Sequence, residues 1–242
     1  MAGDAADAVA HARSLAALER RLHVFGESWV QHLFLRAPVL LRLRGYVYVS
    51  AHLAVRVAVL AWLYFRRPAL FPRVRTALIA AGGIALVGYL LYPTAPPRMA
   101  GLGIVDTLAT SNHIEIQNGL VHSLYNPFAA VPSMHFAYAV TIALALAGSI
   151  RRRSLRVPVV IAYPLLVLAA IVATGNHFFF DAAAGALVAV VAWLAAAGVC
   201  SIAAEDGAAA ASAVPHRPEQ RSPGSWAGSE PSIESAAREG AG

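Results

Sequence analysis

His177 and Asp181 stand four residues apart in the stretch Thr174-Gly175-Asn176-His177-Phe178-Phe179-Phe180-Asp181, between two long apolar runs. At helical spacing they share one face of an opening turn. An aspartate so placed holds the imidazole in one tautomer and favours its charged form. Gly175 and Asn176 break the preceding run, and Asn176 is predicted to cap the helix that follows. In a second cluster, Asn126-Pro127-Phe128-Ala129-Ala130-Val131-Pro132-Ser133-Met134-His135, Pro132 suits the first position of another helix. The amides of Ser133, Met134 and His135 would then face outward as a phosphate cradle, with the Ser133 hydroxyl and the titratable His135 beside them. A third cluster, Pro96-Pro97-Arg98, supplies a fixed cation able to grip phosphate oxygens in bidentate fashion.

Each cluster alone has an ordinary reading. The first can be an interfacial histidine with an aspartate reaching for water, the second a Pro-Ser helix start, the third a helix-stopping turn. Together they are a kit for phosphoryl transfer through a histidine. His177 attacks phosphorus while Asp181 orients its other ring nitrogen. His135 protonates the leaving oxygen and later deprotonates the acceptor. Arg98, Ser133 and the amides stabilise charge on the equatorial oxygens. Arg56, one turn from His52 inside an apolar run, either adds a phosphate ligand or pairs with a polar group on a neighbouring helix. Asp106, His113, Asn118 and His122 lie in a polar connection and either touch a head group or face solvent. No cofactor and no metal is assigned. A zinc site built from His135, His177 and Asp181 is an alternative, opposed by the nearby arginine and by the lack of an HExxH-like pair. A non-catalytic transporter is another, for which Arg56 is the argument, although no inverted repeat is visible.

The elements that must position these groups follow from composition. The 242 residues are 58% hydrophobic, with a mean hydropathy of +0.59, which is too apolar for a soluble domain and implies a polytopic membrane protein. The net charge is +6, there is no lysine, and the 19 basic residues are all arginine. They cluster in short loops between apolar runs, as cytoplasmic membrane loops do, so the charge does not point to nucleic acid. No removable signal peptide is expected, and Cys200, the single cysteine, excludes an internal disulfide.

The expected organisation is an all-α transmembrane bundle with three regions: a mobile N-terminus at 1–13, a membrane-embedded domain at 14–204, and a disordered cytoplasmic tail at 205–242. Five spans are predicted, at Tyr46–Phe65, Thr76–Tyr92, Pro132–Ile150, Val157–Thr174 and Phe178–Ala203. Ser14–Leu43 reads as an amphipathic interfacial helix or a sixth span. The arginine-rich loops at 66–75 and 151–156 fall on one side, cytoplasmic by the positive-inside rule. The three polar clusters then meet on the opposite, extracytoplasmic face, expected to be that of a multi-pass plasma-membrane protein.

Pro132-Ser133-Met134-His135 and His177-x-x-x-Asp181 resemble the second and third signature motifs of the type 2 phosphatidic acid phosphatase superfamily. The Pro97-Arg98 turn and Thr174-Gly175-Asn176-His177 look closest to its inositol-phosphorylceramide synthase-like branch. The resemblance implies a helical, metal-independent enzyme acting on lipid phosphates or phospho-head-groups, either an inositolphosphotransferase-like transferase or a phosphatase using water. The chain departs from the wider family pattern. It lacks the lysine preceding the first-motif arginine, and Ile171 stands where an arginine would precede the nucleophilic histidine.

Overall fold

The computed structural model describes residues 2–37, 52–107 and 126–213. Among these the chain is all-helical, without strands. The helices are α1 (Ala2–Arg21), α2 (Glu27–Leu35), α3 (His52–Arg66), α4 (Phe71–Leu91), α5 (Met134–Ser149), α6 (Arg153–Ala173) and α7 (Phe179–Ala213), with a 3-10 turn at Pro97–Met99. Two units separate, Met1–Ala204 and Glu205–Gly242. The second was expected to be disordered throughout, but helix continues in it to Ala213. The alanine-rich sequence there has high helix propensity even where it lacks apolar bulk.

Among the described residues, three helices are long and apolar enough to cross a membrane: α4, α6 and the Phe179–Ile202 part of α7. The five expected spans are not all of that length. α5 has 16 residues, or about 24 Å, short of a hydrocarbon layer of about 30 Å. α3 has 15 residues, all but Arg66 within the expected Tyr46–Phe65 span, and residues 46–51 lie outside the described part, as do 38–43 of the N-terminal segment. Helix boundaries also reach into the arginine loops. Arg73 and Arg75 lie within the first two turns of α4, and the Arg73 guanidinium sits 4.4 Å from the centroid of the Trp193 ring. The α6 helix opens at Arg153 and runs through both Pro158 and Pro164.

Small residues let this bundle close. α5 packs against α3, α4 and α6, and buries Ala137, Ala139, Ile142, Ala143 and Ala145. Alanines at helical spacing allow backbones to approach where lipid offers no hydrophobic drive between helices. α7 joins through Val188 and Ala192 against Ala81 of α4. The outer faces expose Ile79, Leu90, Leu91, Leu187 and Leu194, an apolar surface suited to acyl chains.

The N-terminus departs most from expectation. Residues 2–13 are not a mobile lead but most of α1, and α1 is separate from α2, so Ser14–Leu43 is not one helix. Ala8, Ala12, Leu15 and Ala16 form a buried stripe that packs with Ala95, Ala100 and Phe178. Polar contacts fasten the helix to the segment 93–100. Ala95 N–H donates to the Ala8 carbonyl at 3.0 Å, and Arg13 Nε–H donates to the Ala100 carbonyl at 3.0 Å. His11 Nδ1 lies 2.7 Å from the Pro93 carbonyl, with its ring stacked on Tyr92. The stripe escapes hydropathy because alanine contributes little of it. Ala12→Leu should overpack this contact at a cost of about 1–3 kcal/mol, read as a lowered melting temperature in detergent. An unchanged melting temperature would return α1 to a loosely held segment.

Candidate active site

The three polar clusters meet. Arg98 N–H donates to the Gly175 carbonyl at 3.1 Å, and Ser133 N–H donates to the Asp181 carbonyl at 2.9 Å. A β-bridge joins Thr94 to Ala129. Backbone thus ties each cluster to the next, and the glycines show how closely. Gly175 has φ +73, and a Cβ there would lie 3.0 Å from both Ile104 Cγ2 and the Val105 carbonyl. A Cβ on Gly185 would lie 2.4 Å from the Ser133 carbonyl, so α7 meets the start of α5 almost backbone to backbone.

His177 is 5% exposed. Its Nδ1 lies 3.1 Å from the Ala130 carbonyl and 3.3 Å from Asp181 Oδ2. A peptide carbonyl only accepts, so Nδ1 carries a proton, and in the neutral ring the lone pair lies on Nε2. Asp181, fully buried, also accepts the Phe178 N–H on Oδ2 at 2.8 Å. It therefore ties the ring to the first turn of α7. The His135 and His177 ring centroids are 5.8 Å apart at 58°. Both rings line a cavity of about 360 Å³, together with Leu86, Tyr89, Met134 and Asn176.

The helix starts differ from the sequence reading. α7 opens at Phe179, so His177 precedes the helix rather than sitting in it. The cap is the Asp181 carboxylate reaching back to Phe178, one half of a capping box. Asn176 instead accepts from Arg98 Nη1 through its Oδ1. α5 opens at Met134 with Ser133 as its N-cap, so Pro132 lies outside the helix. The Ser133 hydroxyl accepts the Phe136 N–H at 3.4 Å, and its own N–H is committed to Asp181. The expected three-amide cradle therefore loses its first member.

Arg98 is close at hand but engaged. Its side chain is 4% exposed, and Nε pairs with Asp106 Oδ2 at 3.0 Å. Neither Arg98 nor Ser133 lines the cavity. Arg56 is not there either: its guanidinium lies 4.5 Å from the centroid of the Tyr138 ring. An arginine over an aromatic ring of the neighbouring helix α5 makes a cation–π contact. His113, Asn118 and His122 lie outside the described residues.

The arrangement extends beyond these clusters. Glu27 Oε1 accepts the Phe179 N–H at 3.0 Å, and Glu19 Oε1 accepts the Phe180 N–H at 2.7 Å. Gln31 accepts the Val105 N–H at 2.9 Å and donates to the Val105 carbonyl at 2.9 Å. Sequence reasoning passed over all three, because their partners are 74 to 161 residues away. The available signal was two acids and a glutamine on helices beside apolar runs.

A family model of the PAP2 superfamily matches residues 13–195. The chain belongs to the PAP2 superfamily. PAP2 members are phosphatases that act on phosphorylated lipids, and the apolar helices make this one a membrane protein. No curated protein and no solved structure matches the chain. The matched region of this PAP2 chain takes in α1 from Arg13 onward and all of α2, so α2 and the end of α1 belong to the family domain.

Asp181→Asn keeps an oxygen for the Phe178 amide but turns an NH2 toward the Nδ1–H of His177, donor against donor. Turnover should fall by up to about 10⁴-fold, as in a protease triad. Stability should fall as well, by about 1–3 kcal/mol, because one carboxylate serves both groups. Turnover and melting temperature measured on one detergent sample check this. A full-activity variant would remove Asp181 from the site.

Proposed function

We propose that this PAP2 protein is an integral-membrane phosphotransferase of the inositolphosphotransferase type, acting on a phospho-head-group lipid through a phosphohistidine intermediate on His177. The observation that carries the reading is the Ala130 carbonyl and Asp181 carboxylate on His177 Nδ1, with His135 across the same cavity. The His177 Nε2 lone pair attacks phosphorus, the bond from phosphorus to the leaving oxygen breaks, and His135 gives that oxygen its proton. An acceptor hydroxyl then loses its proton to His135 and attacks phosphorus. The N–P bond breaks and its electron pair returns to Nε2. Inositol, a lipid hydroxyl or water can fill the acceptor place, and with water the protein is a lipid phosphatase.

Charge favours a phosphodiester over a phosphomonoester substrate. Among the described residues the cavity lining contains no arginine, the chain has no lysine, and Arg98 is paired with Asp106. A monoester dianion entering a poorly solvated site needs more compensating charge than a diester monoanion. The apolar wall of Leu86, Tyr89 and Met134 suits a lipid entering from the bilayer. By the positive-inside rule the 66–75 and 151–156 loops are cytoplasmic and the site opens on the extracytoplasmic face of the cell membrane.

His177→Ala should abolish turnover, and retention of more than a few per cent of wild-type activity would reject it as nucleophile. His135→Ala should be partly rescued by a weakly basic leaving group, and identical responses of the two variants would reject their separate roles. Purified protein given a labelled phosphodiester lipid should transfer label to added inositol or a lipid alcohol. Transfer to water alone, with a monoester preferred, decides for the phosphatase.

Sidedness has its own test. Single cysteines at Met99 and Ser154, in a Cys200→Ser background, are expected to label from outside intact cells at position 99 only. Labelling at position 154 alone would invert the topology.

A further inference from the structure

We propose that Glu19 and Glu27 are positioning residues for His177: a carboxyl–carboxylate pair that shares one proton and caps the first two amides of α7. Its consequence for catalysis rests on His177 being the nucleophile, but the pair itself does not. Glu19 lies on α1 and Glu27 opens α2, and both are buried, at 1% and 0% exposure. Their Oε1 atoms hold the Phe180 and Phe179 amides. Capping successive amides brings the two carboxyl groups side by side, and the buried Oε2 of each has no hydrogen-bond partner.

Carboxylate oxygens only accept, so a hydrogen bond between them needs a proton. Two ionised carboxylates in contact away from water would also repel strongly. Burial, then the hydrogen bond and charge of Glu27, push Glu19 up to about 9. The groups facing the pair leave the proton in place. Asp181 stands on α7 beside it and opposes further negative charge. His177 is turned to Ala130 and Asp181. Arg20 of α1 lies over the Phe25 ring, Arg13 bonds the Ala100 carbonyl, and Arg98 is held by Asp106 and Asn176.

One net negative charge at a helix N-terminus is favourable. Two carboxyls that share a proton provide it while offering an acceptor to each amide. The first turn of α7 is thereby set by α1 and α2. With it are set Phe178 and Asp181, and through Asp181 the ring of His177.

The sharing makes a specific demand on substitutions. Glu19→Gln or Glu27→Gln replaces the protonated partner by an amide that still donates to the remaining carboxylate, and both caps survive. Glu19→Gln/Glu27→Gln places two amides together, and one must turn its NH2 onto a neighbouring NH2 or onto a helix N–H.

The test uses full-length protein in lipid nanodiscs. Infrared spectra at neutral pH should show the carbonyl stretch of a buried protonated carboxylic acid, lost in each single variant. Each single variant should keep turnover within a few-fold of wild type. The double variant should lose about a hundredfold in kcat with KM little changed, the scale of a small misplacement at a reacting centre, together with a lower melting temperature. Glu19 has a folded-state value above its ordinary 4.5, so its contribution to stability is complete below about 4.5 and is lost as pH rises through about 9. Wild-type turnover and melting temperature should therefore drop across that upper limit, and Glu19→Gln should remove the drop.

Absence of the infrared band, a double variant of wild-type kcat, or an alkaline drop unchanged in Glu19→Gln would each overturn the proposal. The band and the single variants decide it even where the double variant does not fold. A wild-type protein with the band but no turnover on any phosphoester would leave the shared-proton cap standing. It would overturn instead the reading of His177 as nucleophile.

Discussion

The N-terminus of α7 is the constraint on which the rest depends. A helix begins with amides that have no partner of their own, and in apolar surroundings each costs about 1–3 kcal/mol if left unpaired. Three amides in succession, those of Phe178, Phe179 and Phe180, are met by carboxylates of Asp181, Glu27 and Glu19. These come from three different helices. Satisfying one helix end therefore requires α1, α2 and α7 to assemble together, and His177 is the residue just outside that end. The contacts that hold the fold there also hold the ring.

The second histidine arrives by backbone contact. Ser133 N–H on the Asp181 carbonyl fixes the start of α5 against the first turn of α7. The approach is open because residue 185 is glycine and a Cβ there would strike the Ser133 carbonyl. His135, two residues past Ser133, is brought to His177 by this junction rather than by direct bonding of the two rings. The distance between them is consequently a property of small residues and main-chain geometry. Any larger side chain at residue 185 would be felt as a change in histidine separation.

How far this was legible in the sequence depended on whether a signal was local. The superfamily motifs, the apolar runs and the meeting of Pro96–Arg98, Pro132–His135 and Thr174–Asp181 all follow from short patterns plus the counting of crossings. Asn176 looked like a cap because it precedes an apolar run. Asp181 has the better geometry, since a carboxylate in the first turn can reach back to the amide before the helix. Residues 1–13 read as mobile because alanine buries well without registering as hydrophobic, and the packing stripe of α1 shows only against a partner. Glu19 and Glu27 look like surface acids until α7 is placed over them, more than 150 residues later. The capture of Arg98 by Asp106 and Asn176 was hidden in the same way.

That capture changes how the site must stabilise charge. An arginine neutralised by a neighbouring aspartate gives the cavity little net field, and no lysine supplements it. Among the described residues, the polar groups that line the cavity beside the histidines are dipoles: the N-terminal turn of α5, the Asn176 side chain and the Tyr89 hydroxyl, which donates to the Pro132 carbonyl at 2.9 Å. Dipoles held in place stabilise developing charge without reorganising during the reaction, and they do so most effectively where water is scarce. They are weaker than fixed cations against a dianion at rest. A site built in this way gives up tight ground-state binding of a highly charged phosphate. It keeps the ability to favour the charge that would spread over the equatorial oxygens in the proposed transfer of phosphorus to His177.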